Sequence, residues 1–280
     1  MASNASLKRD LSFEEAWSLL QEEAINKLID NLEGVQKREF SSEEYMRFYT
    51  IVYNVCAPDP VGPEARKMYD HYKKTFEDYI SSKVLPSVRE KKDESLLQEL
   101  LRRWNNHTTM VRWLSRFFSY LERYFIVRKK LPSLERTSHL AFYNLVYTVI
   151  NNQVRDAVIS LIDREREGEQ IDQAMVKSVL DIYMEISKNS TKYYEEDFKE
   201  SMIKATATFY SRKTSNWIEN ETYENYMRKV EECLQQEKAR ISSYLNCTSE
   251  PKLLEVVQHE LLTVHASKLE EKKNLSIAAA

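Results

Sequence analysis

Glycine is almost missing from this chain. Only Gly34, Gly62 and Gly168 occur among 280 residues, together with six prolines. A β-sheet protein of this length needs many tight turns with positive φ, which glycine adopts most easily, so three glycines could hardly supply them. Because 42% of the residues are hydrophobic, the chain can bury a sizeable core. The sequence therefore predicts an all-α protein, folded as one elongated domain or two compact ones.

Charge and cysteine content limit the classes of partner. The chain has 41 basic and 44 acidic side chains, a formal net charge of -3, and therefore no strong field to attract nucleic acid or anionic lipid. No segment approaches the ~18 unbroken apolar residues of a membrane span, and the first ten residues lack the apolar core of a signal peptide. Cys56, Cys233 and Cys247 are too few and too scattered for a disulfide framework. We expect a protein partner, no nucleic acid, no membrane, and a location in the cytoplasm and nucleus.

Helical periodicity and capping signals divide the chain into segments. Ser12 with Glu15, and Ser41 with Glu44, have the spacing of capping boxes. A disordered leader over 1–11 and a frayed tail over 271–280 are expected at the ends. The spacing predicts helices over 12–34, 43–56, 63–84, 93–104, 107–127, 138–167, 171–187, 193–217, 223–245 and 251–269.

One short pattern occurs twice. Tyr72-x3-Phe76 matches Tyr194-x3-Phe198, and each half of the chain has five predicted helices over roughly 120 to 140 residues. Weak repetition of this kind is typical of stacked helical units in a solenoid.

The stretch from Glu43 to Cys56 has more apolar surface than one helix normally buries. On a helix only Arg47 and Asn54 point away from the apolar arc, which is about twice the ~100° stripe of an ordinary globular-protein helix. Two interpretations stay open. The helix could be buried on both sides in a large core, or one flank could be a docking surface for a protein, which tyrosine and methionine favour.

The fifth predicted helix has one apolar and one polar half. The apolar half is assigned to the core and contains Trp113, Leu114, Phe117, Phe118, Tyr120, Leu121, Tyr124 and Phe125. The polar half faces solvent or a partner and contains Arg112, Ser115, Arg116, Ser119, Glu122 and Arg123.

No residue pattern supports catalysis or a cofactor. His259 and His265 resemble a zinc-protease helix only superficially, because Thr263 stands where a second histidine would share a face with His259. The cysteines lack Cys-x-x-Cys spacing, so Cys56 and Cys233 are interpreted as small buried hydrophobes. No clustered glycines are present to cradle a phosphate. We expect no cofactor, no metal and no enzyme active site in this chain.

Four stretches resemble the N-terminal region of cullins, in particular the cullin-1 type of plants. The similarity extends over roughly residues 10 to 270, and the matches occur in the family's order. They are YMRFYTIVYN at 45–54, MVRWLSRFFSYLERY at 110–124, VRDAVISLIDREREG at 154–168 and FYSRK at 209–213.

The resemblance implies stacked five-helix cullin repeats in an elongated curved stalk. Repeat 1 would occupy 12–135 and repeat 2 would occupy 138–270. In cullin-1 type proteins the second and fifth helices of the first repeat hold the F-box adaptor and, through it, F-box substrate receptors. The corresponding positions are Tyr45, Met46, Tyr49, Thr50, Tyr53, Val111, Arg112, Ser115 and Arg116. A third repeat and the C-terminal RING-binding domain of a full cullin are absent here, so the RING protein is not expected to bind this chain.

Several functions remain open at this point. The resemblance implies a non-catalytic scaffold arm of an SCF-type cullin-RING ubiquitin ligase. A truncated cullin-like protein that competes for the adaptor, or an unrelated helical tethering rod, would share the long helices. An enzyme with a site assembled from distant helices would need converging His, Asp or Glu side chains.

Overall fold

The computed structural model describes residues 11–35, 40–188 and 190–278, and within these ranges the regular structure is helical without a strand. This confirms the predicted all-α class. The helices, with their π-helical turns, are α1 (Phe13–Leu20, Gln21–Ile25, Asn26–Leu32), α2 (Ser42–Cys56), α3 (Pro63–Tyr79, Ile80–Val84, Leu85–Arg89), α4 (Asp93–Phe117), α5 (Ser119–Leu121, Glu122–Ile126, Val127–Lys129), α6 (Leu134–Phe142, Tyr143–Tyr147, Thr148–Arg166), α7 (Gln173–Ile186), α8 (Lys192–Tyr194, Glu195–Lys199, Glu200–Asn220), α9 (Tyr223–Ser243), α10 (Glu250–Gln258, His259–Thr263) and α11 (Ala266–Ala278).

Both predicted capping boxes are confirmed. The hydroxyl of Ser12 accepts a hydrogen bond from the Glu15 amide at 3.3 Å, while the Ser12 amide donates to the Glu15 carboxylate at 3.0 Å. Ser41 and Glu44 repeat the exchange at 3.1 and 2.9 Å. Each box satisfies amide groups that have no partner within the helix, so it fixes where α1 and α2 begin.

The predicted break between a fourth and a fifth helix is wrong. Residues 93–117 form one helix, α4, and the chain bends instead at Phe118 (φ -94°, ψ 13°). Asn106, which lies in the predicted break, has a tertiary role. The Asn106 amide donates to the carbonyl of Leu32 at 2.9 Å and so satisfies an orphan carbonyl at the end of α1.

Other boundaries also differ from prediction. α3 continues to Arg89 instead of ending at 84, and a turn between Thr263 and Ala266 divides the predicted helix over 251–269. α6 begins at Leu134 rather than 138, because the Ser133 hydroxyl accepts from the Arg136 amide at 3.1 Å and caps it. The described part of the predicted frayed tail is helical to Ala278. Lys268 and Lys272 hold α11 through Glu219 (2.6 Å) and the Glu221 carbonyl (2.7 Å). The predicted leader lies outside the described residues except for Leu11.

The chain divides into two compact units, residues 1–90 with 102–149 and residues 91–101 with 150–280. These ranges differ from 12–135 and 138–270, and the assignment of cullin repeats stays a prediction. Each unit has its own aromatic core. Fully buried rings of the first unit include Phe48, Tyr72, Phe76, Phe117, Phe118, Phe125, Phe142 and Tyr147; those of the second include Tyr183, Tyr194, Phe198, Tyr210 and Tyr226.

The repeated tyrosine–phenylalanine pattern makes similar contacts in both units. The ring centroids of Tyr72 and Phe76 are 5.2 Å apart, and those of Tyr194 and Phe198 are 5.5 Å apart. Both tyrosines are fully buried, and each hydroxyl pairs with a serine hydroxyl at 2.9 Å: Ser138 for Tyr72, and Ser249 for Tyr194. The agreement of packing and hydrogen bonding supports the idea of two related helical units.

The second unit also buries an ionic network. The Glu237 carboxylate has no exposed side-chain surface and pairs with Arg166 at 2.9 Å and Arg240 at 2.8 Å. Tyr210 donates to the same carboxylate at 2.7 Å. Arg240 also pairs with Glu165 at 2.8 Å, so the network joins α6, α8 and α9. Because each buried charge is paired and hydrogen-bonded, its desolvation is compensated.

Candidate protein-docking surface

The inner side of α2 is fixed by aromatic packing and one ion pair. Phe48 is buried against Phe117 of α4, with ring centroids 5.1 Å apart, and Phe40 lies 5.3 Å from the same ring. On another side, the guanidinium of Arg47 binds the Glu23 carboxylate of α1 through two hydrogen bonds of 2.6 and 3.0 Å. These contacts define the rotation of α2 about its axis and therefore decide which residues face outward.

The outward side of α2 is apolar and largely uncovered. Met46 is 54% exposed and Tyr53 is 45% exposed, while Tyr45, Tyr49 and Thr50 are half-buried. The Thr50 hydroxyl donates to the Met46 carbonyl at 2.7 Å, so it is satisfied within the helix. We call these five residues the tyrosine face. The interpretation of α2 as a helix buried on both sides is thus wrong, and the exposure that docking requires is present.

Ring contacts continue the tyrosine face onto α5. Tyr49 stacks on Tyr53 with centroids 6.4 Å apart, Tyr53 meets Tyr120 edge-on at 5.4 Å, and Tyr120 lies 4.6 Å from Tyr124. Tyr124 is 41% exposed and Val127 is 68% exposed. The sequence had placed Tyr124 in the core, and this assignment is wrong. The bend at Phe118 and the π-helical turn of α5 alter the 100° spacing on which that projection relied.

The predicted positions on α4 divide into two groups. Arg112 and Arg116 are exposed and Ser115 is half-buried, as the polar half of the helix requires. The guanidinium of Arg116 lies over the Trp113 ring, 5.8 Å from its centroid. Val111 is only 5% exposed, so its side chain belongs to the core rather than to a contact surface. Val111 and its neighbour Met110 both lie on the buried side of α4. Transferring the family's contact positions to this sequence did not reveal that Val111 is buried.

Two titratable side chains of the first unit, Cys56 and His107, are buried and uncharged. Burial, and then the negative charge of Glu64, raises the pKa of the Cys56 thiol to about 12, so it stays protonated. His107 is fully buried against the rings of Trp104, Phe76 and Phe142. Burial lowers the pKa of His107 well below its usual value, and the imidazole stays neutral.

The histidines that resembled a metal motif have other partners. His265 lies 3.1 Å from the Thr214 hydroxyl, and His259 lies 3.4 Å from the Glu260 carboxylate. Across residues 11–35, 40–188 and 190–278, no group of three or more His, Cys, Asp and Glu side chains is placed to hold a metal ion. In the same ranges no helix combines the length and apolarity needed to cross a membrane. Cys56 and Cys233 are buried, as predicted, and Cys247 is exposed.

Comparison with known proteins identifies the family. The model of the cullin family, described as the cullin alpha solenoid domain, matches residues 25–279. The chain belongs to the cullin family. This confirms the resemblance inferred from the four sequence stretches and agrees with the all-α fold.

Relatives of this cullin chain differ in length. Cullin-1 of Oryza sativa subsp. japonica is 51% identical over 95% of this chain and 36% of its own length. Cullin-like protein 2 of Arabidopsis thaliana is 46% identical over 92% of this chain and 69% of its own length. Cullin-like protein 3 of Arabidopsis thaliana is 40% identical over 88% of this chain and 95% of its own length. The chain therefore spans about a third of the rice cullin but nearly all of cullin-like protein 3.

Proposed function

We propose that this chain is the N-terminal scaffold arm of an SCF-type cullin-RING ubiquitin ligase and binds the F-box adaptor through the tyrosine face. F-box substrate receptors would be held through the adaptor, and the RING protein would bind outside this region. The observation that carries the proposal is the half-exposed row of tyrosines and methionine on α2, with Arg112 and Arg116 exposed on α4. Membership of the cullin family supplies the class of partner.

The composition of the surface suits a stable protein interface. Tyrosine, methionine and arginine are enriched at interface cores, and tyrosine and arginine dominate hot spots. The tyrosines are already ordered by ring contacts with one another, so less side-chain entropy is lost on binding. An interface of the standard ~1,600 Å² would extend well beyond the five residues of the tyrosine face.

The proposed role is positional rather than chemical. A scaffold that fixes a substrate receptor relative to a ubiquitin-charged enzyme raises the effective concentration of the acceptor lysine near the thioester. Within each unit, buried polar contacts such as Tyr72 with Ser138 and Glu237 with Arg166 favour a single rigid arrangement. We propose that the protein works in the cytoplasm and nucleus, which a fluorescent-protein fusion would test.

Met46→Ala combined with Tyr53→Ala tests the docking assignment. Both side chains are about half exposed, so truncation should leave the fold intact. The double variant should bind a purified F-box adaptor at least about 30-fold more weakly, equivalent to about 2 kcal/mol, in isothermal titration calorimetry. A matched control is Leu275→Ala with Ile277→Ala, which removes exposed apolar surface from α11 in the second unit.

Two results would count against the proposal. Equal affinity of the folded double variant and the wild type would show that the tyrosine face is not the adaptor site. If the wild type formed no complex with the adaptor in size-exclusion chromatography, the helical tethering rod would be the better interpretation.

A further inference from the structure

Positive charge is concentrated in one segment of a chain that is acidic overall. Between Asn105 and Ser133 the sequence has six basic residues and a single acidic one, Glu122, whereas the formal net charge of the whole chain is -3. Glu122 is already engaged, because its carboxylate accepts a hydrogen bond from the Leu134 amide at 2.9 Å. The six basic residues are Arg112, Arg116, Arg123, Arg128, Lys129 and Lys130.

These six cations are exposed, and no carboxylate of residues 11–35, 40–188 or 190–278 forms an ion pair with any of them. Basic residues on other helices commonly have such a partner: Arg66 pairs with Asp70, Lys74 with Asp78 and Lys177 with Asp181. Among the described residues, the guanidinium of Arg116 has only the cation–π contact with Trp113 described above. The segment therefore presents positive charge that no carboxylate in the described part of the chain pairs with.

The helix dipole explains only part of this concentration. Arg128 and Lys129 lie in the last turn of α5, where positive charge complements the carbonyl ends, and Arg116 lies in the last turn of α4. Arg112 lies outside the last turn of α4, and Arg123 lies in the π-helical turn before the last residues of α5. Stabilisation of helix ends therefore does not account for Arg112 or Arg123.

The charges on α5 lie beside exposed apolar groups that are continuous with the tyrosine face. Ring contacts link Tyr124 to Tyr53 through Tyr120. On the same helix, Arg123 directly precedes Tyr124, and Arg128 directly follows Val127. A surface that alternates rings and aliphatic groups with cations matches a partner helix that alternates apolar side chains with carboxylates. We call this set the basic extension: Arg123, Tyr124, Val127, Arg128, Lys129 and Lys130.

We propose that the basic extension binds a carboxylate-rich segment of the same protein that docks on the tyrosine face. This inference rests on the proposed adaptor-binding function and adds the chemistry of the partner's contact surface. An acidic protein fits better than nucleic acid, because the same surface also exposes Met46 and Val127, apolar side chains that pack against protein side chains rather than against phosphates. Long-range attraction between the two charged surfaces would speed association and orient the docking protein.

The test is charge reversal with Arg123→Glu and Arg128→Glu. The matched control is Lys238→Glu with Lys273→Glu, which changes the net charge equally at exposed positions of the second unit. Association of wild type and both variants with a purified F-box adaptor is measured by stopped-flow fluorescence and calorimetry at 50 and 300 mM NaCl. Thermal unfolding checks that each variant is folded.

We expect the charge-reversal variant to bind the adaptor at least about tenfold more weakly than the wild type at 50 mM NaCl, mainly through slower association. The difference in affinity should shrink at 300 mM NaCl, because salt screens exposed charges. The control should behave like the wild type. Wild-type affinity and salt dependence in the charge-reversal variant would overturn the basic extension while leaving the tyrosine face as the adaptor site. Absence of adaptor binding by the wild type would overturn both proposals. Tighter binding of a single-stranded RNA oligonucleotide than of the adaptor, lost in the same variant, would overturn the protein assignment.

Discussion

Replacing Glu237 by Gln should destabilise the second unit strongly, although the two side chains have nearly the same shape. Glu237 accepts two hydrogen bonds from Arg166, at 2.9 and 3.1 Å, one from Tyr210 at 2.7 Å and one from Arg240 at 2.8 Å. Gln retains one oxygen acceptor, but it removes the charge and directs an NH2 group toward an arginine donor. Arg166, whose side chain is 1% exposed, then loses its main counter-ion.

The magnitude follows from which charges remain paired. Removing one partner of a buried ion pair costs roughly 3–5 kcal/mol, because the other charge stays buried without compensation. Here the loss is partly offset, since Arg166 keeps Asp163 at 2.9 Å and Arg240 keeps Glu165 at 2.8 Å. We therefore expect the lower end of that range, about 3 kcal/mol, which corresponds to a fall in melting temperature of roughly 6–12 °C.

Hydrogen exchange with mass spectrometry can place this loss within the molecule. Amides of α9 that exchange through unfolding of the second unit should exchange about 100-fold faster in Glu237→Gln, whereas α2 of the first unit should be unaffected. Glu232→Gln is the matched control, because Glu232 lies on the same helix but is exposed. Urea denaturation supplies the overall change in unfolding free energy.

An apolar replacement of the pair provides the opposite test. Arg166→Met with Glu237→Leu removes both charges together, so it should cost less than Glu237→Gln alone. A loss below about 1 kcal/mol in Glu237→Gln, or strictly additive costs in the double variant, would refute the view that paired buried charge stabilises this unit.

Three further predictions concern pH and single buried groups. Burial by itself would raise the pKa of Glu237, but the charge and hydrogen bonds of Arg166 and Arg240 outweigh it and lower the pKa below 4.5. The stabilisation from Glu237 should therefore be complete above pH 4.5 and be lost as the pH falls through the folded-state pKa. In Glu237→Gln, stability should depend less steeply on pH in this range. His107→Phe should change stability by less than about 1 kcal/mol near pH 7 and reduce the loss of stability below pH 6.5, since neither imidazole nitrogen has a hydrogen-bond partner in the described chain; destabilisation above about 2 kcal/mol would contradict this. Tyr72→Phe and Tyr194→Phe should each cost about 1–2 kcal/mol in urea denaturation, because each removes a hydroxyl with two hydrogen bonds. The partners are Ser138 and the Leu134 carbonyl for Tyr72, and Ser249 and the Asn246 amide for Tyr194. Very different costs would argue that the two units are not equivalent at this position.

The sequence by itself determined the helical class, most helix starts and the surplus apolar area of α2. These are local properties. Glycine content, a serine three residues before a glutamate, and the periodicity of side chains act through the nearest turn of helix, so they can be evaluated without knowing what packs nearby. Ser12 with Glu15 and Ser41 with Glu44 are examples, and both have the expected hydrogen bonds.

Only the tertiary structure decided which flank of α2 is covered and how far the exposed surface extends. Within α4, the side chain of Asn106 donates to a carbonyl at the end of α1, and Tyr124 is exposed on α5, which follows the bend at Phe118. The network around Glu237 joins residues more than 70 positions apart in sequence. Such contacts depend on the three-dimensional arrangement of several helices, and the periodicity of one helix contains no information about its neighbours.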